Sequence, residues 1–199
     1  QNQERAITFL LGNAGISMPR RNDSITGHDS SLIGWPWIAG THSWVIPTSL
    51  AVMALRVTGN GNHPRVTEAN RLLLNRQIPA GGWNYGNTSI YGQELRPMPE
   101  ATGIALSALA GTALATEIAP SFVYLQSQVS SLRTPLSLSW SILGLSAWGK
   151  RPAASESCLQ ACWRRREQYG TFDLSAVSLL LLASTVTRGL LSLFPMPLN

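Results

Sequence analysis

Along the chain, apolar residues recur at the three-and-four spacing of a helix face in eight stretches. No stretch of useful length alternates apolar and polar residues as a half-buried strand would. The first runs from Glu4 to Leu11 and stops at Gly12. A loop rich in Gly, Asn, Asp and Ser follows, from Gly12 to Ser31, with Pro19, Arg20 and Arg21 inside it. After the aromatic cluster GWPWIAGTHSW, a second helix opens at Pro47-Thr48-Ser49 and ends near Gly59, with Pro at its start and Gly past its end. Asn60 to Pro64 is a turn. Val66 to Leu74 is next, its stripe made by Val66, Ala69, Leu72 and Leu73. The remaining helices are expected at Pro99 to Leu109, Ser121 to Val129, Thr134 to Trp148, Ser155 to Gln168 and Asp173 to Ser184. The tail LFPMPLN, with Pro195 and Pro197, ends regular structure. The pattern predicts an all-α protein.

The eight stretches pair into four hairpins. Their second members align on Ala54-Leu55, Ala108-Leu109, Gly144-Leu145 and Leu181-Leu182, with the leucines 54, 36 and 37 residues apart. Spacings of this size mark a repeat in which each hairpin buries one face on its neighbours. They vary with loop length, unlike the fixed period of a tetratricopeptide array. The second helices are the more apolar and are expected inside, whereas Arg71, Arg76, Arg164 and Glu167 place the first helices in an outer layer. The expectation is one repeat domain over residues 1–199, built of antiparallel helical hairpins in two layers.

Composition narrows this further. At 44% hydrophobic and 13% charged, the 199 residues exclude disorder and suffice for a core. The richest apolar run, Ala176 to Val186, contains Ser178, Ser184 and Thr185 and falls short of the roughly 20 residues that span a bilayer, so no transmembrane segment is expected. No basic segment leading into an apolar run marks a signal peptide, and the compartment stays open. The net charge of +5 comes from 14 Arg and Lys150, and the only dense run, Arg164-Arg165-Arg166, reads as a solvated helix end. Nucleic acid is not an expected partner. Cys158 and Cys162 share a helix face, but His28, His42 and His63 lie far upstream. The cysteines are therefore expected as small buried residues, with no metal and no other cofactor.

The second unit carries the most specific local signal. In NRQIPAGGW, Gln77 precedes Gly81, Gly82 and Trp83, and REQYGTF, with Gln168, Gly170 and Phe172, is a weaker copy. Glycines let the chain leave a helix at positive φ and pass close beneath the next element. The Trp can then pack on the hairpin while the Gln bonds freed backbone groups at the helix end. This element resembles the QW repeat of the terpenoid cyclases and protein prenyltransferases, the α/α-toroid superfamily. The helices after the turn, IPTSLAVMAL from Ile46 and MPEATGIALSAL from Met98, are similar to those of its squalene and hopene cyclase branch. The resemblance implies a partial toroid, with fewer hairpins than a closed ring. It also implies an isoprenoid or other apolar ligand held against the inner helices, or else a protein partner or self-association that completes the ring. The Asp-x-Asp-Asp acid string, the Asp-x-x-x-Cys zinc arrangement and the Gly-Cys-Gly-Glu-Gln thioester string are all missing, so the resemblance does not extend to catalysis.

The candidate ligand-binding residues are Trp44, Trp83, Tyr85, Glu94, Glu100 and Trp140. With Trp35 and Trp37, the aromatic members could offer π faces to an apolar or cationic group, or else pack the repeat. Glu94 lies in the loop from Asn84 to Glu100, which opens towards the inner helices. Glu100 and Asp173 sit at helix starts, where capping competes with acid–base work. His28, Asp29 and His42 are a further candidate for proton transfer. The alternative to a ligand-binding protein is a non-catalytic repeat scaffold.

Overall fold

The computed structural model describes residues 1–19 and 26–195; Arg20, Arg21 and Asp23 of the first long loop and Pro197 of the tail lie outside the described residues. The helices are α1 (Asn2–Gly12), α2 (Val45–Val57), α3 (Pro64–Asn75), α4 (Pro99–Leu109), α5 (Ala119–Gln128), α6 (Pro135–Ser146), α7 (Ser155–Arg164), the four-residue α8 (Arg166–Tyr169) and α9 (Leu174–Thr185). The protein is all-α, and each helix falls where the apolar periodicity places it. Pro64, Pro99 and Pro135 occupy first-turn positions, where an N–H would have no partner inside the helix. His63 caps α3 by accepting the Arg65 N–H at 3.1 Å, and Asp173 caps α9 by accepting the Ala176 N–H at 2.7 Å. The stretch expected as one helix from Ser155 to Gln168 is divided at Arg165, whose N–H bonds the carbonyl three residues back, at Cys162.

Second helices stand side by side in one row, in the order α2, α4, α6 and α9, while α3, α5 and α7 each pack across two neighbours of that row. This gives the two layers expected. Residues Glu100 to Leu109 of α4 and Leu138 to Ser146 of α6 are buried all round. Glycine makes the central contact possible. A Cβ on Gly103 would run into the carbonyl of Trp140, and one on Gly144 would meet the backbone of Gly103, with Cα at 2.7 Å. No helix among the described residues is long and apolar enough to cross a membrane.

The structure corrects the sequence reading at both ends of the chain. α9 was expected inside, yet Leu181, aligned in sequence with Gly144, is 62% exposed and Leu174 is 82% exposed; Leu180 and Ala183 are the buried ones. α9 has one neighbour in the row rather than two, so only one of its faces is covered. Burial thus aligns Ala183, not Leu181, with Gly144, at a spacing of 39 residues rather than 36 or 37. A small residue then occupies the same place in all four second helices: Ala54, Ala108, Gly144 and Ala183. At the other end, α1 buries none of its residues. It is tied down by the Trp35 indole, which donates to the Leu10 carbonyl at 2.8 Å. Arg65 lies 4.4 Å over the Trp35 ring and donates to Leu11 and Asn13 carbonyls at 3.1 and 2.9 Å.

Among the described residues, besides isolated bridges between Ile16 and His42 and between Thr26 and Ile90, the strands form a short hairpin, β1 (Ser89–Ile90) with β2 (Gln93–Glu94). Its turn residues Tyr91 and Gly92 both have positive φ, +49° and +75°, as a tight hairpin with the right-handed twist of its strands requires.

Candidate functional site

The Gly-Gly-Trp turn is a structural clip, and its bonding pattern recurs at Gly34-Trp35. Trp83 is fully buried. Its indole donates to the Leu73 carbonyl at 2.7 Å and its N–H to Thr102 Oγ1 at 2.9 Å, while that hydroxyl donates back to the Trp83 carbonyl at 3.2 Å. Trp35 repeats every link: indole to Leu10, N–H to Thr48 Oγ1 at 2.9 Å, and Thr48 hydroxyl to the Trp35 carbonyl at 3.3 Å. Thr48 and Thr102 are 54 residues apart, the same interval as Leu55 and Leu109. Each clip therefore joins the end of a first helix to the first turns of the second helix after it. In the second unit the turn also binds α5, because the Gly82 N–H donates to Ser121 Oγ at 2.8 Å. At the end of α3 the side chain that bonds freed backbone is Arg76, one residue before Gln77. It is buried and donates to the Gly86 carbonyl at 2.9 Å and to that of Ser43 at 3.4 Å.

Around Arg76 the two long loops meet. Thr26 bridges to Ile90, the Gly27 N–H donates to the Ser89 carbonyl at 3.2 Å, and the Val45 N–H donates to the Tyr85 carbonyl at 2.9 Å. Trp44 and Tyr85 are thus brought together beside His28, Asp29, His42 and Arg76. Burial, the Arg76 charge and, to a lesser extent, His42 push His28 down to about 4, against an opposing pull from Asp29. Burial also lowers Arg76 to about 10, again opposed by Asp29. Asp29 is engaged on its own loop, its Oδ1 accepting from Ser31 N–H and Oγ at 2.9 and 2.6 Å. A histidine this weakly basic is poorly matched to proton transfer near neutrality. Arg76, bonded to Ser43 of one loop and Gly86 of the other, is the polar rivet between them.

The remaining candidates lie elsewhere. Glu100 does not cap α4; its carboxylate accepts the Ser137 hydroxyl of α6 at 2.9 Å, one turn before Gly103 and Trp140 meet. Beside it, Tyr124 donates to the Pro97 carbonyl at 2.9 Å, and burial together with the Glu100 charge pushes its phenol up to about 12. Trp140 is buried in the core, and Glu94 is exposed on β2. The six expected site residues therefore occupy three separate places: Trp44 and Tyr85 at the loop junction, with Glu94 exposed on the β-hairpin of the second loop; Glu100 and Trp140 at the α4–α6 contact; and Trp83 inside its clip. Cys162 is buried, donates its thiol to the Arg133 carbonyl at 3.4 Å, and is raised by burial against an opposing pull from Arg165.

Two apolar grooves lie at the two ends of the row. One, of about 480 Å³, is walled by Phe9, Trp35, Trp37 and Leu50 and floored by Ala51 and Ala54, between α1 and α2. The other, of about 300 Å³, lies between α7 and α9, with Leu159, Trp163, Leu180 and Leu181. Neither is evident from the sequence. Their side chains share the helical spacing of core residues, and only the lack of a further neighbour sets them apart. No known protein family, no curated protein and no solved structure matches the chain.

Proposed function

We propose that this chain is a helical-repeat scaffold, of the partial-toroid type its turns resemble, that binds protein helices at the open ends of its row. One observation carries the reading: Glu100 to Leu109 of α4 and Leu138 to Ser146 of α6 are all buried, so along these stretches, among the described residues, the row has no open face for a ligand. Of the aromatic candidates, Trp83 is held in its clip and Trp140 is buried in the core, the packing alternative. The two apolar grooves are at the ends, bordered by Trp37, 58% exposed, at one and Leu181, 62% exposed, at the other, whereas Val123 and Leu136 are single exposed residues along the middle. The doubled Gly-Trp/Thr clip supports the likeness to terpenoid-cyclase and prenyltransferase toroids as an architecture. An architecture alone does not carry a chemistry with it.

A second reading has an observation of its own. The α1–α2 groove has aromatic walls and a volume within the roughly 300–1,000 Å³ of small-molecule sites, which suits an isoprenoid or similar apolar ligand. Calorimetric titration with farnesyl diphosphate and with squalene, on the native chain and on Trp37→Ala, decides between them. The scaffold reading expects no saturable heat. Saturable binding that Trp37→Ala removes replaces it with the ligand reading.

A further inference from the structure

The repeat gives every second helix an incoming face, turned to the helix before it, and an outgoing face, turned to the helix after it. In α6 the incoming face is Ser137, Trp140, Ser141 and Gly144, the stripe that meets Glu100 and Gly103 of α4. The equivalent residues of α4, 36 positions earlier, are Ala101, Ile104, Ala105 and Ala108, all buried; the Ala108 carbonyl accepts from Arg56 of α2 at 2.8 Å. Another 54 positions earlier they become Pro47, Leu50, Ala51 and Ala54 of α2, which no second helix among the described residues covers. That stripe lines the α1–α2 groove.

The outgoing face behaves in the complementary way. Gly103, Leu106 and Ser107 of α4 and their α6 equivalents Ser139, Ile142 and Leu143 are all buried. In α9, 39 residues further on, the same positions are Ser178, Leu181 and Leu182: two exposed and one half-buried. Among the described residues, one end of the row thus presents an uncovered incoming face, and the other an uncovered outgoing face. Neither stripe carries a charge; each joins a groove flanked by an aromatic of the first-helix layer, Phe9 or Trp163, and the α7–α9 groove also has Glu156 and Gln160 in its lining.

We infer that a second copy of this chain docks head to tail, setting its α2 face against α9 and forming between molecules the helix-row contact made three times within one. This rests on the scaffold reading and names its partner. The contact joins two different surfaces, so successive copies build a ring if the rotation closes and a filament if it does not.

Sedimentation velocity on the native chain, Leu50→Arg, Leu181→Arg and an equimolar mixture of the two variants tests the inference. Both side chains are exposed, so the substitutions leave the fold intact, as circular dichroism will report. The native chain is expected to gain mass with concentration, and each variant alone to sediment as a monomer. The mixture should give a dimer and nothing larger, because one variant keeps its α9 end and the other its α2 end. A native chain that stays monomeric at every concentration overturns the inference. So does a single variant that still associates, or a mixture that fails to restore the dimer. A monomeric chain that also gives no heat with isoprenoids removes only the self-docking inference, whereas Trp37-dependent isoprenoid binding removes the scaffold reading beneath it.

Discussion

Replacing Thr102 with Val is the sharpest test of the clip. Val keeps the shape of Thr102 in a fully buried site but removes the hydroxyl that accepts the Trp83 N–H at 2.9 Å. The Trp83 carbonyl keeps a partner, since the Met98 N–H donates to it at 2.7 Å, so the loss falls on the N–H. A buried donor left unpaired costs about 1–3 kcal/mol. In a chain of this size, about 2 kcal/mol lowers the melting temperature by roughly 4–8 °C. Thr102→Ser is the control, because it keeps the hydroxyl and gives up one methyl, worth about 0.8 kcal/mol. Thr48 stands in the same relation to Trp35, whose carbonyl keeps the Trp44 N–H at 3.0 Å, so Thr48→Val should cost about as much. Urea unfolding followed by circular dichroism gives all three values. If either Val variant is as stable as the native chain, or if Ser costs as much as Val, the hydroxyl is not what holds the clip and the equivalence of the two turns fails.

Two further outcomes follow from the packing and the charges. Gly103→Ala drives a methyl into the Trp140 carbonyl and should destabilise by about 1–3 kcal/mol or more, whereas Gly12→Ala, in open space at the end of α1, should be neutral or slightly stabilising; thermal melts of the pair check this. His28 titrates near 4 when folded against 6.5 ordinarily, so the unfolded chain takes up its proton first. Stability from this group is present above pH 6.5 and is lost as pH falls towards 4. The urea midpoint should drop across that window, and less steeply in His28→Asn.

Much of the architecture is legible in the residues because helix periodicity, proline starts and glycine stops agree with one another from Pro47 to Thr185. The second clip was also legible, since Gly81 and Gly82 mark a positive-φ exit from the helix, at +105° and +84°, directly before Trp83. The first was hidden among Trp35, Trp37 and Trp44. Nothing local says which Trp inserts, and the choice is made by Thr48, 13 residues on, whose hydroxyl reaches the Trp35 backbone and not that of Trp37. The rivet around Arg76 was hidden for a similar reason. Asp29 and Asn75 are 46 residues apart and meet only because two loops close over the ends of α2 and α3.

The α9 face exposes a deeper limit. Leu174, Leu180 and Leu181 belong to one helix, and residue type ranks them equally. Burial separates them, with Leu180 6% exposed and Leu181 62%. An apolar stripe is a statement about a helix needing a neighbour, and it reads alike whether that neighbour lies in the same chain or in another molecule. The two cases part only when the row is assembled and its faces are counted. Within the chain, each outgoing face from α2 to α6 has an incoming face to meet. Among the described residues, what is left over is one face of each kind, without charge and at opposite ends of the row. Two leftover faces of the same kind would favour a two-fold pair; one of each kind favours a head-to-tail series. The distinction lies in the register of four helices, a property no single stretch of residues holds.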